Sequence, residues 1–124
     1  MDIIISNSGD TPIYEQIVLQ VKGMILNGTL NEGDMLPSMR MLAKELRISV
    51  ITTKRAYEEL EREGFITSVT GRGSFVARRN TELIREEQLK AVEVHLSKAI
   101  AAARIAGLNG KQLNEMIQCL FGEE

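Results

Sequence analysis

The sequence predicts a mostly α-helical chain with one small β-ribbon, arranged as an N-terminal domain over residues 1–79 and a helical hairpin over 80–124. Three observations lead there. Apolar residues recur three and four apart in five separate stretches, which is the period of a helix. At one place, after Gly64, strand-forming runs FITSV and SFVA flank the glycine-rich turn TGRG. Beyond residue 80 the apolar spacing settles into the a/d rhythm of a helix-packing seam.

Taken in order, Asp2-Ile3-Ile4-Ile5 reads as a short strand, followed by the loop Ser6-Asn7-Ser8-Gly9. Thr11 is the expected N-cap of the first helix, with Pro12 at its first position. Ile13, Ile17, Val21 and Ile25 recur every four residues, Tyr14 and Val18 widen the stripe, and Gly28 stops it. This helix reads as scaffold that closes the core. Asn27 to Asp34 is a turn-rich connector.

Ser38 is the expected N-cap of a second helix, with Pro37 keeping the preceding chain extended. Met39, Leu42, Ala43 and Leu46 make its apolar face. After a break at Arg47-Ile48, Ser49 caps a third helix whose inner face is Thr53, Ala56, Tyr57 and Leu60, and Gly64 ends it. Two amphipathic helices joined so tightly fit a helix-turn-helix, whose second helix can enter a DNA major groove. Val50, Ile51, Thr52, Lys54 and Arg55 crowd the outer face and first turns of that second helix. Lys54 and Arg55 can reach phosphates or guanine acceptors, Thr52 a base or a phosphate, and Val50 or Ile51 a thymine methyl. The hairpin that follows would then be a wing, with Arg72 at its tip between Gly71 and Gly73.

In the hairpin region, Leu89, Val92, Leu96, Ala99, Ala103 and Ala106 are spaced 3, 4, 3, 4 and 3 along a helix expected over Glu82 to Ala106. Ile100 and Ile105 extend its apolar surface. Gly107 to Gly110 breaks that helix, and Leu113, Met116, Ile117, Leu120 and Phe121 share one face of a shorter one. Two helices cannot bury all this surface on each other. Pairing with the same hairpin of a second copy in a two-fold dimer is the expected solution, with packing onto the chain's own N-terminal domain as the alternative.

The run GTLNEGDMLPSMRMLAKELRIS, then TTKRAYEELEREGFI, then GRGSFV, resembles the winged helix-turn-helix domain of the GntR family of bacterial transcription regulators, over roughly Thr11 to Ala77. The short remainder looks like the YtrA-type subfamily, in which two helices replace a larger ligand-binding domain. The resemblance implies that Arg40, residues Val50 to Lys54 and the wing residues Thr70, Gly71, Arg72 and Gly73 contact operator DNA. The cap serines Ser38 and Ser49, with Arg55, complete the candidate DNA-contact set. Val50 stands where some better-known relatives carry arginine, so direct base readout there is expected to be thinner or differently placed. Arg47 stands where the turn often holds glycine, at a cost of about 1 kcal/mol if its backbone is left-handed. Dimerisation falls to Leu89, Val92, Leu96, Ala99, Ile100, Ala103, Leu113, Met116, Ile117 and Leu120.

Composition agrees with this reading. An apolar content of 44% and a charged content of 26% are those of a soluble globular protein. No apolar run approaches the ~20 residues that span a bilayer, and no leader is read, so a cytoplasmic address is expected. The net charge of −2 hides an uneven distribution: nine Lys/Arg against five Glu leave residues 36–79 at +4. The single cysteine, Cys119, excludes an internal disulfide and is expected as a small buried hydrophobe. The single histidine, His95, is expected at a surface or interface, and no metal, cofactor or catalytic constellation can be assembled. GRG is not a phosphate-binding loop, since no GK[ST] follows.

The expected function is therefore that of a sequence-specific regulator, not an enzyme. It would be a dimeric repressor on an inverted-repeat operator whose half-sites lie ~34 Å apart or a multiple of it. The alternative is a winged-helix module that binds an acidic protein partner through Lys54, Arg55 and Arg72. A small-molecule effector could lodge between the hairpin and the winged domains; no residue identifies one.

Overall fold

A computed structural model of the chain describes residues 1–7, 9–78 and 81–122, and the chain divides into two compact units, Met1–Thr81 and Glu82–Glu124. Ser8 of the expected loop, Arg79 and Asn80 at the expected domain boundary, and the last two glutamates lie outside the described residues.

In the first unit, α1 (Ile13–Leu26) buries Ile17, Val18, Val21 and Ile25 against α3. Its N-cap is Pro12, one residue later than expected. Pro12 keeps an extended ψ of 149° and its carbonyl accepts the Gln16 N–H at 3.1 Å, so Thr11 stays outside the helix. The strand expected over residues 2–5 does not form, because that segment meets no other strand. It runs instead beside α1, where two glutamine side chains serve as ladder partners. Gln20 accepts from the Ile4 N–H at 2.9 Å and donates back to the Ile4 carbonyl at 2.7 Å. Gln16 does the same for Ser6, at 2.9 and 2.8 Å. A primary amide offers the same donor and acceptor as a peptide group.

Helix α2 (Met39–Leu46) starts at Ser38, whose Oγ accepts the Met41 N–H at 3.1 Å. It buries Leu42 and Ala43 against α3 (Val50–Arg62), which starts at Ser49 in the same manner. Both helices end alike. Ile48 N–H donates to Ala43 O at 3.0 Å around a left-handed Arg47, and Phe65 N–H donates to Leu60 O at 2.9 Å around a left-handed Gly64. Thr53, Ala56, Tyr57 and Leu60 of α3 are all buried, so this helix is the centre of the unit.

The hairpin pairs β1 (Ile66–Val69) with β2 (Gly73–Val76) in antiparallel register, Ile66 opposite Val76 and Val69 opposite Gly73. Gly73 therefore belongs to the strand and the turn is Thr70 to Arg72. Phe65 precedes the strand because its N–H closes the end of α3. Just beyond the turn-rich connector Asn27 to Asp34, Met35 bridges Phe75. Val76 N–H donates to Asp34 O at 2.8 Å and Leu36 N–H to Ser74 O at 2.9 Å. The far side of β2 is thus backed by a third short stretch, which fixes the ribbon to the entry of α2.

The second unit is a helical hairpin. α4 (Thr81–Ile105) ends around Gly107 and α5 (Gly110–Phe121) begins at Asn109, which shares a reciprocal capping box with Gln112 at 2.9 Å each way. The break is shorter than expected: Gly110 is the first residue of α5. Ala99, Ala103, Ala106, Leu113, Ile117 and Leu120 line an apolar groove of about 340 Å³ between the two helices. No residue of α5 is buried. Cys119 is exposed rather than buried, because α5 buries none of its residues within the single chain, Leu120 of the apolar stripe included. His95 is exposed on α4.

Candidate nucleic-acid interface

The candidate contact residues of the first unit lie on three neighbouring features: the start of α2, the outer face of α3 and the hairpin tip. Each is positioned by a local device. The Ser38 and Ser49 oxygens accept the second or third amide of their helices, which leaves each hydroxyl proton as a free donor at a helix entrance. Arg40, in the first turn of α2, is exposed.

On α3 the core face points inward so fully that Thr53 is completely buried. Its hydroxyl lies 2.8 Å from Val50 O and 3.0 Å from Met39 O, which joins the first turn of α3 to the first turn of α2. The opposite face is left to solvent. Ile51 is 78% exposed and Val50 43%, with no protein partner to explain two apolar side chains there. Lys54 and Arg55 are exposed and Thr52 is half-buried. The arrangement offers apolar contact, hydroxyl and cation within two turns of one helix, the mixture that reads base edges and grips phosphates.

The cations of this face differ in how they are held. Lys54 lies 3.9 Å from Glu58 with both side chains more than half exposed, a pair too weakly screened from water to hold it. Arg62 is paired with Glu59. Arg55 meets no carboxylate among the described residues; its guanidinium stacks on the Tyr14 ring, 3.9 Å from the centroid.

The hairpin tip is exposed from Val69 to Gly73. Arg72 N–H donates to Val69 O at 2.9 Å, a turn that Gly71 permits with a φ of 80°. Gly73 has a φ of 117°, a conformation that selects glycine; a Cβ there would meet only the movable tip of the exposed Met35 side chain, at 3.0 Å, so the backbone rather than the space makes the demand. Arg72 therefore stands between two residues without side chains. The hairpin is anchored to α3 by Glu61 Oε1, which accepts the Ser68 N–H at 3.3 Å.

Among the described residues no cluster could hold a metal ion, and no helix is long and apolar enough to cross a membrane. Two contributors carry no signal in the sequence: the stretch around Met35, whose neighbours Asp34 and Leu36 tie down the wing through their backbone, and Tyr14, which reads as scaffold.

Comparison with known proteins agrees with this geometry. The family described as "Bacterial regulatory proteins, gntR family" matches residues 13–76. The chain is 37% identical to the HTH-type transcriptional repressor YtrA of Bacillus subtilis, covering 94% of this chain and 89% of that one. It superposes with a TM-score of 0.75 on a transcriptional antiterminator from Listeria monocytogenes, at 30% identity, covering 100% of this chain and 96% of that one. It superposes with a TM-score of 0.64 on YtrA from Sulfolobus acidocaldarius, a GntR-family transcription factor, at 35% identity, covering 80% and 97%.

Proposed function

The chain belongs to the GntR family of bacterial regulatory proteins, and we propose that it is a dimeric, sequence-specific repressor of the YtrA type acting on an inverted-repeat operator. Members of this family are DNA-binding transcriptional regulators rather than enzymes, and this chain is one of them. The similarity to a YtrA repressor spans the short helical tail as well as the winged domain.

The observation that carries the finer reading is the outer face of α3. Exposed Ile51 beside Lys54 and Arg55 has no structural purpose in the folded unit, and Arg72 projects from the ribbon anchored alongside. We assign base contacts to Val50, Ile51 and Thr52, and backbone contacts to Ser38, Arg40, Ser49, Lys54, Arg55, Thr70, Arg72 and the amides of Gly71 and Gly73. Winged domain and hairpin divide the labour, the first binding DNA and the second pairing copies. Leu89, Val92, Leu96 and Ile100 on α4, with Met116 and Leu120 on α5, leave an exposed apolar surface in the single chain that a second hairpin would cover. A two-fold dimer then presents two α3 helices to two half-sites, about one DNA turn apart or a multiple. Binding at a promoter in the cytoplasm would block transcription by occlusion. The unclaimed apolar groove between α4 and α5 contributes to pairing rather than to a cofactor site.

The test is selection of bound fragments from the source genome with the purified chain. Enrichment of an inverted repeat upstream of a small set of genes is the expected result. Recovery of fragments with no common motif, or of a single unrepeated half-site, would overturn the operator geometry.

A further inference from the structure

We propose that Tyr14 on α1 is a positioning residue for operator binding, which holds Arg55 as a second backbone grip on the side of α3 away from the wing. The inference rests on the operator-binding reading above and adds a role for a residue that this reading leaves in the scaffold.

Arginine can be held in two ways. A carboxylate partner orders a guanidinium by consuming its N–H donors, and its charge competes with any phosphate. An aromatic ring orders it through the π-face, and the five in-plane N–H donors remain free. Arg55 is held in the second way, 3.9 Å above the Tyr14 ring, with no carboxylate partner among the described residues. Of its two cationic neighbours on the same face, Arg62 is paired with Glu59, and Lys54, whose contact with Glu58 is too exposed to hold it, is left unordered. Arg55 is therefore the cation of this face that is both ordered and unneutralised. A planar donor fork in that state suits bidentate contact with a phosphate, and the rotamer freedom that binding would otherwise remove is already largely gone.

Position supplies the second half. The exposed arc of α3 is bounded on one edge by the hairpin, through Glu61 and Ser68, and on the other by α1, through Arg55 and Tyr14. With the helical period, residues 61 and 55 fall on opposite sides of the arc centred near Ile51 and Glu58. A helix lying in a major groove has one phosphate strand along each wall. If Arg72 of the wing addresses one wall, Arg55 stands at the other. Tyr14 is half-buried and shares the first turn of α1, so the ring is fixed by its own helix rather than by the DNA.

The test is a double-mutant cycle in operator affinity, using full-length chain and the duplex recovered by genomic selection. Tyr14→Leu is expected to weaken binding roughly three- to tenfold, Tyr14→Phe to bind as the parent does, and Arg55→Gln to lower the slope of log K against log salt by about one. In the Arg55→Gln background, Tyr14→Leu should cost nothing further. Equal losses from Tyr14→Leu in both backgrounds would make Tyr14 merely structural and overturn the inference, as would an unchanged salt slope for Arg55→Gln. Arg55 is exposed, so that variant tests the phosphate contact even if Tyr14→Leu fails to fold, and Tyr14→Phe tests the ring. Arg72→Ala is the control that separates the two proposals. If it lowers the slope while Arg55→Gln does not, operator binding stands and this inference falls; if neither does, both fall.

Discussion

The Tyr57 hydroxyl donates to the Pro37 carbonyl across 2.6 Å, tying the middle of α3 to the residue that leads into α2. Thr53 makes the matching tie one turn earlier, to Met39 O. The angle between the two helices of the helix-turn-helix is thus set by two hydroxyls on the buried face of α3, and its outer face inherits that angle. Tyr57→Phe leaves the Pro37 carbonyl without this donor and should cost about 1–2 kcal/mol, seen as a lower urea midpoint with unchanged m.

The same phenol sets an alkaline limit. Burial, reinforced by the charge of Glu45, pushes the Tyr57 hydroxyl well above its ordinary value. The native state thus holds its proton more tightly than the unfolded state. The stability this contributes is fully present below about pH 10, the ordinary tyrosine value, and is lost as pH rises above it. Urea midpoints should fall less steeply above pH ~10 for Tyr57→Phe than for the parent; parallel declines would show that Tyr57 does not govern the alkaline limb.

Arg47 holds the left-handed position at the end of α2, with φ 56° and ψ 50°. Its side chain is exposed, so the strain is not offset by burial. Arg47→Gly should stabilise the chain by about 1 kcal/mol, less what the freer unfolded chain takes back. A thermal melt that moves down would mean the arginine side chain holds the turn in some other way.

Contacts that position should be separable from contacts that specify. Arg72→Ala should weaken binding to all duplexes alike and lower the salt slope by about one. Thr52→Ala should instead reorder preference among half-site variants, by roughly 1–3 kcal/mol at one base pair. A titration series across single-base substitutions distinguishes them: identical rankings for Thr52→Ala and the parent would remove Thr52 from base readout.

Leu96 lies on α4 and is 42% exposed in the single chain. Leu96→Glu should therefore leave the monomer fold intact while placing a charge in the proposed seam. Sedimentation is expected to show a monomer, with operator affinity reduced roughly a hundredfold as two linked half-site contacts become one. A variant that remains a dimer would move the pairing surface away from this stripe.

Much of this was legible in the residue order because the features concerned are local. The caps at Ser38 and Ser49 and the glycine at 64 are decided by neighbours a few residues away, as is the wing turn around Arg72. Periodicity then separated the core of α3 from its outer face, and Thr53, Ala56, Tyr57 and Leu60 are buried as the spacing required. The strand expected over residues 2–5 failed for want of a partner strand, and two further kinds of error stand beside it. Helix starts shifted by a residue at Pro12 and Gly110, where the first carbonyl or side-chain acceptor decides and composition does not. Burial failed at Cys119, where an apolar neighbourhood in sequence sits on a helix that buries no residue within the single chain.

By itself, then, the order of residues determined which segments are helices, where they stop, which side of α3 faces out, and that a wing follows it. Tertiary structure alone decided that Gln16 and Gln20 replace a missing strand, that Met35 backs the ribbon, that Tyr57 reaches Pro37, and that Arg55 rests on Tyr14. These pairs join residues far apart in the chain, and nothing in the local energetics of either partner selects the other. They arise only once the packed faces of α1, α2 and α3 have brought particular groups within reach.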